Sequence, residues 1–204
     1  MMRESAIRPD AFVVPSAPAE WRLPDRGVIG MGALIVAEGA LFTIFVVAYL
    51  FYLGKDLSGP APKDVLHLPV FISICLWSSS LTVEVAVRSL RAGRIGPFRL
   101  WWMLTLLLAV VFLGGTAREW HHLVVDEGLT IRTNLFGTTY YSLVGLHACH
   151  VVVGIVGLLL VSVLSLFGRV GAKEAHRTHV LGLYWHFVDI VWVLVFIVVY
   201  VIGR

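Results

Sequence analysis

The sequence predicts an all-α integral membrane protein, a bundle of five transmembrane helices. Hydrophobic residues make up 58% of the 204 positions, the mean hydropathy is +0.86, and only 14% of the residues are charged. A soluble domain of this length could not bury so much apolar surface. Five separate segments also reach the roughly 20 apolar residues that a spanning helix needs. We therefore expect one transmembrane domain at residues 28–204, preceded by a cytoplasmic N-terminal segment at residues 1–27.

The first segment, about Val28–Leu53, is expected to act as the membrane-insertion signal. Residues 1–27 hold four arginines, four acidic residues and four prolines but no apolar core, so they are neither a secretory signal peptide nor a transit peptide. The other four segments run about Leu66–Leu90, Phe98–His121, Asn134–Phe167 and His179–Ile202. The fourth is longer than one bilayer requires, and we expect it to tilt or to project past the lipid.

The connections between the segments are short and contain helix-breaking residues. The turn Gly59–Pro62 holds two prolines, which lack the backbone N–H that a continuing helix needs. Arg91–Pro97 is a basic, glycine-bearing turn, and Val124–Thr133 is the one connection long enough to shape a surface. The sequence contains no internal repeat, which favours one compact bundle.

Basic residues are distributed unequally between the two sides of the predicted bundle. With the N-terminus in the cytoplasm, eleven arginines and lysines fall in the inner segments and five in the outer ones. Cytoplasmic loops carry the excess of these residues, so we predict the N-terminus inside and the C-terminus outside. The net charge of +3 reflects this asymmetry and gives no reason to expect a nucleic-acid partner.

Glu38 is an ionisable residue near the midplane of the first segment. It lies about ten residues from the inner end, roughly 15 Å at the helical rise, and Phe42, Phe45 and Tyr49 fall on the same helical face. A carboxyl group at that depth is either protonated or faces a partner or water inside the protein. Two interpretations remain open here, a proton-pathway or coupling carboxylate and a neutral, hydrogen-bonded packing group.

The fourth and fifth segments each carry histidines and glycines at helical spacing. Glycines let neighbouring helices approach closely, so that imidazoles can hydrogen-bond across them. Such stripes could ligate a haem or another metal, relay protons, or hold the fourth and fifth helices together through histidine–carboxylate contacts. We favour the structural interpretation. The stripes are His147, His150, Gly154 and Gly157 in the fourth segment, and His179, Gly182, His186 and Asp189 in the fifth.

Other polar positions have local explanations. Glu84 precedes Arg88 by four residues, which predicts a helical ion pair. Residues 118–122 mix charge with a tryptophan and are interpreted as an interfacial anchor. Their adjacent histidines point about 100° apart on a helix and make a poor metal pair. Cys75 and Cys149 fall inside spans and are interpreted as small apolar residues.

The sequence lacks the motifs of several enzyme classes. It has no nucleotide-binding glycine loop, no Cys-x-x-Cys-His for covalent haem, no cysteine pair placed to hold copper and no convincing nucleophile–base pair. We therefore predict no catalytic residue and no metal or other cofactor in this chain. These features favour a structural or coupling subunit.

Three segments together resemble subunit III of the haem-copper oxidases, from the first helix onward. Tyr184–Trp192 (YWHFVDIVW) is similar to the last-helix motif of that family almost letter for letter. Leu34–Phe42 (LIVAEGALF) resembles its membrane glutamate motif. Gly137–Val151 resembles its helix in which an aromatic pair precedes two histidines, although Leu146 departs from the usual phenylalanine. Five spans instead of seven resemble the shorter bacterial form.

The resemblance implies a function, a location and partners. Members of the family carry no redox centre and pack against subunit I, in a complex that also contains subunit II and holds haem and copper in these partners. The complex lies in the bacterial plasma membrane, where it reduces oxygen to water and pumps protons. Subunit III is expected to bind phospholipid in a cleft and to sustain proton uptake. The residues expected to support the proton path or the lipid cleft are Glu38, His147, His150, Trp185, His186 and Asp189.

Two alternatives remain open at the level of the sequence. The chain could accompany a quinol oxidase or a nitric oxide reductase, because nothing in it indicates the electron donor. It could also be a proton-coupled carrier that uses Glu38 and the histidines. The absence of an internal repeat or a broken helix pattern argues against the carrier.

Overall fold

The structure is a computed structural model that describes residues 25–55, 59–60 and 62–203. Within these ranges the regular structure is all helical, and five helices are long and apolar enough to cross a membrane. This confirms the predicted fold class. The N-terminal segment predicted at residues 1–27 lies almost entirely outside the described residues, and its location stays a prediction, as does the orientation of the termini.

Six α-helices follow one another along the described part of the chain. A 3-10 turn at Ala172–Glu174 precedes the last of them, and π-helical turns at Ile197–Ile202 continue it. The helices are α1 (Arg26–Tyr52), α2 (Pro62–Val65), α3 (Val70–Arg91), α4 (Ile95–Val125), α5 (Leu135–Leu166) and α6 (Ala175–Phe196).

The spanning helices α1, α3, α4, α5 and α6 correspond to the five predicted segments, with ends that differ by a few residues. The largest differences arise because hydropathy marks the part of a helix that lies in lipid, whereas polar residues at the ends are also helical. At the start of α3 the reason is different: Pro69 caps that helix, and Leu66 to Leu68 lie outside it. The 32 residues of α5 extend about 48 Å at the helical rise, as expected for the longest segment.

Side chains and glycines define the helix ends. Asp25 Oδ1 accepts a hydrogen bond from the backbone N–H of Gly27 at 3.1 Å and so caps α1. Asn134 Oδ1 accepts one from Gly137 N–H at 2.8 Å and caps α5. Gly93 takes a φ of +72° in the turn between α3 and α4, a conformation that side chains other than glycine rarely adopt. These local signals fix where the chain reverses.

Helix α6 occupies the centre of the bundle. It packs against α1, α3 and α5, while α4 closes the other side by packing against α3 and α5. In its most apolar stretch 56% of the residues are buried, against 17% for α1. The signature residues of α6 therefore face other helices of the same chain, and α1 leaves most of its surface to lipid or to a partner.

Two tryptophans of α6 set its register against α3. Trp192 Nε1 donates to Ser73 Oγ at 3.0 Å, and Trp185 Nε1 donates to Ser79 Oγ at 2.8 Å. Both indoles are fully buried. The tryptophan that comes later in α6 contacts the serine that comes earlier in α3, so the two helices run antiparallel. Both indole N–H groups are satisfied across the interface, which makes this pairing specific.

Glycines bring α5 close to α6, as the sequence predicted. A Cβ atom on Gly154 would lie 2.5 Å from Cζ3 of Trp185, and one on Gly157 would lie 2.8 Å from Cδ1 of Leu181. No larger residue fits at these positions unless the ring or the leucine moves. The Tyr184 hydroxyl also donates to the backbone carbonyl of His150 at 3.1 Å.

Candidate functional site

Glu38 on α1 meets His150 on α5 inside the bundle. Glu38 Oε2 and His150 Nε2 are 3.1 Å apart, and both side chains are largely shielded. The other ring nitrogen, Nδ1 of His150, lies 2.8 Å from the carbonyl oxygen of Leu146, one turn earlier in α5. The Phe42 ring packs on the imidazole with centroids 4.9 Å apart. The glutamate that the sequence singled out therefore has a partner within its own chain.

This contact can hold one proton in two places. A carbonyl oxygen only accepts hydrogen bonds, so Nδ1 of His150 must carry a proton. Nε2 then either accepts from a protonated Glu38 or, as part of an imidazolium, donates to a Glu38 carboxylate. In both cases one proton lies between the two side chains. The pair avoids the cost of an isolated charge in lipid.

Ser80 on α3 lies between His186 and Asp189 on α6. Its Oγ is 3.1 Å from His186 Nδ1 and donates a hydrogen bond to Asp189 Oδ2. Because Ser80 has a single proton to donate, His186 Nδ1 must in that arrangement donate to Ser80. If Asp189 is protonated instead, both bonds reverse. Asp189 is only 4% exposed, so Ser80 supplies the hydrogen bond that its Oδ2 would otherwise lack.

A row of polar groups connects this cluster to the end of α3 that carries the arginines. His186 Nε2 lies 4.0 Å from Glu84 Oε2, and Glu84 Oε1 accepts from Arg88 Nε at 2.7 Å. The predicted Glu84–Arg88 ion pair is thus confirmed. The row runs from the exposed Arg88 to the buried Asp189, and Asp189 Oδ1 at its end has no hydrogen-bond partner among the described residues.

Serine, histidine and aspartate are present together, but not in the order of a hydrolytic triad. A triad needs the histidine between the serine and the acid, so that it can take the serine proton while the acid orients it. Here the serine lies between His186 and Asp189. The arrangement can relay or share a proton, but it does not activate the serine as a nucleophile.

His147 and Trp185, the other predicted site residues, are core groups in the structure. His147 is 1% exposed and stacks on Trp192 with ring centroids 4.9 Å apart, while Phe112 meets it edge-on at 5.9 Å. Neither ring nitrogen of His147 has a hydrogen-bond partner in the described part of the chain. Trp185 fills the space above Gly154. Both residues contribute packing at the centre of the bundle.

The histidine–carboxylate contacts do not join the fourth and fifth spanning helices, and that expectation is wrong. His150 of α5 binds Glu38 of α1, and the polar stripe of α6 faces α3, where Gly182 approaches Val87. Helices α5 and α6 are joined through glycines and aromatic rings instead. The reason is that sequence spacing shows which residues share a face of a helix but gives no information on which neighbouring helix that face meets.

Glu119 on α4 is a half-buried polar residue, and the sequence predicted it only as part of an interfacial anchor. Its Oε1 accepts from the Tyr200 hydroxyl at 2.9 Å and from the Tyr140 hydroxyl at 3.3 Å, and the two hydroxyls are 3.3 Å apart. The π-helical turns after α6 carry Tyr200. The sequence did contain a signal that Glu119 faces another helix. Gly115 lies one turn earlier on the same face of α4, and small residues mark the faces on which membrane helices pack.

Three of the predicted stripe histidines are already engaged by neighbouring groups in the bundle. His150 is bonded at both ring nitrogens, His186 is bonded to Ser80, and His147 is enclosed by aromatic rings. The described residues also contain no group of three histidine, cysteine or acidic side chains placed to hold a metal ion. That this chain holds no haem or metal of its own stays a prediction.

Comparison with known proteins gives one family. Residues 26–204 match the family model described as cytochrome c oxidase subunit III. A relative named cytochrome c oxidase subunit 3 from Alkalihalophilus pseudofirmus is 34% identical over 193 residues, which are 93% of this chain and 94% of the relative. The match thus includes all five spanning helices.

Relatives with other names are almost as similar. The cytochrome bo(3) ubiquinol oxidase subunit 3 of Pseudomonas aeruginosa is 32% identical over 87% of this chain and 85% of its own length. A probable quinol oxidase subunit 3 from Staphylococcus aureus is 32% identical over 86% of this chain and 89% of its own length. Sequence identity therefore does not distinguish between the third subunits of cytochrome c oxidases and of quinol oxidases.

Proposed function

Because the chain belongs to the cytochrome c oxidase subunit III family, we propose that it serves as the non-redox subunit III of a bacterial cytochrome c oxidase. In this role it packs against subunit I, in a complex that includes subunit II and whose haem and copper lie in those partners. The complex lies in the plasma membrane, reduces oxygen to water and pumps protons. The chain itself contributes structure and proton handling.

The row from Arg88 to Asp189 supports the proton-handling part of the proposal. Membrane-embedded ionisable residues are costly and mark functional paths by default. Glu84, His186, Ser80 and Asp189 follow one another at hydrogen-bonding or near-contact distances. Each can accept a proton on one side and release it on the other. We propose that this row and the Glu38–His150 pair buffer protons for subunit I and do not form an obligatory channel.

Bound phospholipid is the second part of the proposed function. The spanning helices leave many large apolar side chains exposed, such as Val36, Ile44 and Phe51 on α1. Contiguous apolar surface of this kind is covered either by lipid or by a partner subunit. We propose that lipid fills the space between this chain and subunit I, and that it slows the inactivation of the complex.

Co-purification tests the proposed function. An affinity tag on the full chain, expressed in a native-like host, should recover a haem-bearing partner with an oxidase absorption spectrum and oxygen-consuming activity. The separated chain should show neither a Soret band nor stoichiometric metal. A tagged chain that is recovered alone, stable and active in solute transport would instead support the carrier. A Soret band in the separated chain would contradict the non-redox role.

A quinol oxidase is the second candidate, because two quinol oxidase subunits match this chain at nearly the same identity. The two candidates differ in the electron donor of the assembled enzyme. The purified complex should oxidise reduced cytochrome c under the first proposal and should be inactive with it under the second. Oxygen consumption measured with each donor decides between them.

A further inference from the structure

A cavity of about 610 Å³ lies between α3 and α4, at the end of the bundle opposite the Arg88 end of α3. This volume is within the range of roughly 300–1,000 Å³ that is typical of small-molecule sites. Val70 and Phe71 line it from the start of α3, and Val111 lines it from α4. The walls are therefore apolar, and the cavity opens where α3 begins and α4 ends.

Two glycines of α4 keep the cavity open. A Cβ atom on Gly114 would meet no heavy atom within 4 Å, so this residue borders empty space. Gly115 lets the side chain of Ile72 lie directly on the α4 backbone. Glycine inside a helix costs about 1 kcal/mol relative to alanine. The consequence at Gly114 is open space next to the helix backbone, in a cavity whose walls are apolar.

The polar end of the cavity carries opposite charges on successive residues. Arg118 is exposed there, and it makes no ion pair or hydrogen bond with any residue that the structure describes. Glu119 also lines the cavity. Its Oε1 accepts from the tyrosine hydroxyls, whereas its Oε2 makes no hydrogen bond within the described ranges. His67 and His122 complete the rim, with ring centroids 6.4 Å apart.

We infer that this cavity binds one phosphatidylethanolamine molecule. An acyl chain lies in the groove beside Gly114, the phosphate accepts hydrogen bonds from Arg118, and the primary ammonium donates to Glu119 Oε2. A zwitterionic head group matches adjacent opposite charges, whereas a purely anionic head group offers no cation to Glu119 Oε2 and places like charges side by side. This inference deepens the lipid-binding part of the proposed function and rests on it, at a site separate from Glu38 and Asp189.

Native mass spectrometry of the complex containing the full chain tests the inference. The probes are dioleoyl phosphatidylethanolamine, phosphatidylglycerol and phosphatidylcholine, which share their acyl chains. Phosphatidylglycerol lacks the ammonium, and the ammonium of phosphatidylcholine cannot donate a hydrogen bond. We expect phosphatidylethanolamine to bind about tenfold more tightly than either, since one charge-assisted hydrogen bond is at stake.

Matched variants assign the binding to this cavity. Gly114→Leu should fill the groove and weaken lipid binding at least about tenfold, while Gly96→Leu on the same helix, also next to open space, should change nothing. Arg118→Gln should weaken binding of all three lipids. Glu119→Gln should remove the preference for phosphatidylethanolamine over phosphatidylglycerol. All these effects are measured as lipid affinity by native mass spectrometry. The measurement does not depend on how much of the haem-bearing partner is recovered.

Two results would overturn the inference. One is equal or tighter binding of phosphatidylglycerol by the unaltered chain, which would indicate a site for anionic lipid. The other is unchanged lipid binding by a folded Gly114→Leu variant, which would place the lipid elsewhere. The same variants are also tested for co-purification with the haem-bearing partner. If that partner is still recovered, either result contradicts only the lipid site and not the proposed function.

Discussion

The Glu38–His150 contact shows how a carboxyl group is accommodated inside a membrane helix. The two side chains lie 3.1 Å apart, and the backbone carbonyl of Leu146 fixes the proton on the far side of the ring. One shared proton makes the pair either neutral overall as an ion pair or neutral at each group. Both forms avoid a net charge, so the contact stabilises the α1–α5 packing whichever form prevails.

We predict that Glu38→Gln leaves the initial rate of oxygen reduction within about twofold of the unaltered complex. The glutamine amide can donate to His150 Nε2 in place of a protonated carboxyl, so the α1–α5 contact persists. The measurement is the initial oxygen-consumption rate beside the rate of inactivation during turnover. Glu38→Leu is the control, and it should inactivate faster because the histidine nitrogen loses its partner at a cost of about 1–3 kcal/mol.

A complete loss of the initial rate in a fully assembled Glu38→Gln complex would contradict this prediction. It would show that the carboxyl group is an obligatory proton carrier.

Asp189→Leu should destabilise the chain by about 1–3 kcal/mol, because Ser80 loses its acceptor and a larger side chain enters a site that is almost fully buried. Asp189→Asn keeps an acceptor for the Ser80 hydroxyl and should remain close to the unaltered chain. The bonding partner lies on α3, so we expect the loss to appear first as weaker α3–α6 packing. The midpoint of thermal unfolding in detergent measures both variants, and equal midpoints would disprove the role of the bond.

At the scale of the elements, α6 is fixed by contacts of two different kinds. Against α3 it is fixed by indole and serine hydrogen bonds, and against α5 it is fixed by close approach at Gly154 and Gly157. Hydrogen bonds specify the register, whereas small residues specify the distance between axes. The position of α6 relative to α3 and α5 is thus fixed by contacts within the chain, without a partner subunit.

Gly154→Ala should destabilise the α5–α6 interface by about 1–3 kcal/mol. The added methyl group would lie 2.5 Å from the Trp185 ring, which cannot move without breaking its bond to Ser79. Gly39→Ala is the matched control, since its Cβ would meet nothing within 4 Å, and it should be neutral or slightly stabilising through helix propensity. Detergent-denaturation midpoints measure the difference, and a neutral Gly154→Ala would show that the ring can shift at little cost.

At the scale of the whole molecule, the two ends of the bundle differ in chemistry. One end carries Arg88 beside Glu84, which begins the row toward Asp189, and the other carries the cavity with Arg118 and Glu119. The excess of basic residues predicts that the Arg88 end faces the cytoplasm. Proton uptake would then begin on the cytoplasmic side, and the lipid site would belong to the outer leaflet.

Cysteine labelling tests this orientation. Single cysteines at Pro60 and Arg94, in a chain with Cys75→Ala and Cys149→Ala, lie at opposite ends of the bundle, since Pro60 contacts the start of α5 and Arg94 precedes α4. A membrane-impermeant maleimide added to intact cells should label position 60 and should label position 94 only after the cells are opened. Labelling of position 94 from outside would reverse the orientation.

The sequence by itself determined the five spans, the fold class and the Glu84–Arg88 pair. Each depends on a local property: the length of an apolar run, or two side chains one helical turn apart. The glycine contacts of α5 were also predictable, because close packing of helices in lipid depends on small residues. The family followed from short motifs whose residues are contiguous in the chain.

Only the tertiary structure decided which polar groups meet. Glu38 and His150 are 112 residues apart, Ser80 and Asp189 are 109 apart, and Glu119 meets Tyr200 from 81 residues away. Such pairings depend on which helices are neighbours and on how far each is rotated about its axis. Both are set by the packing of all five helices at once, so a helical stripe predicts that a residue is buried without predicting its partner. This is why the histidine stripes turned toward α1 and α3.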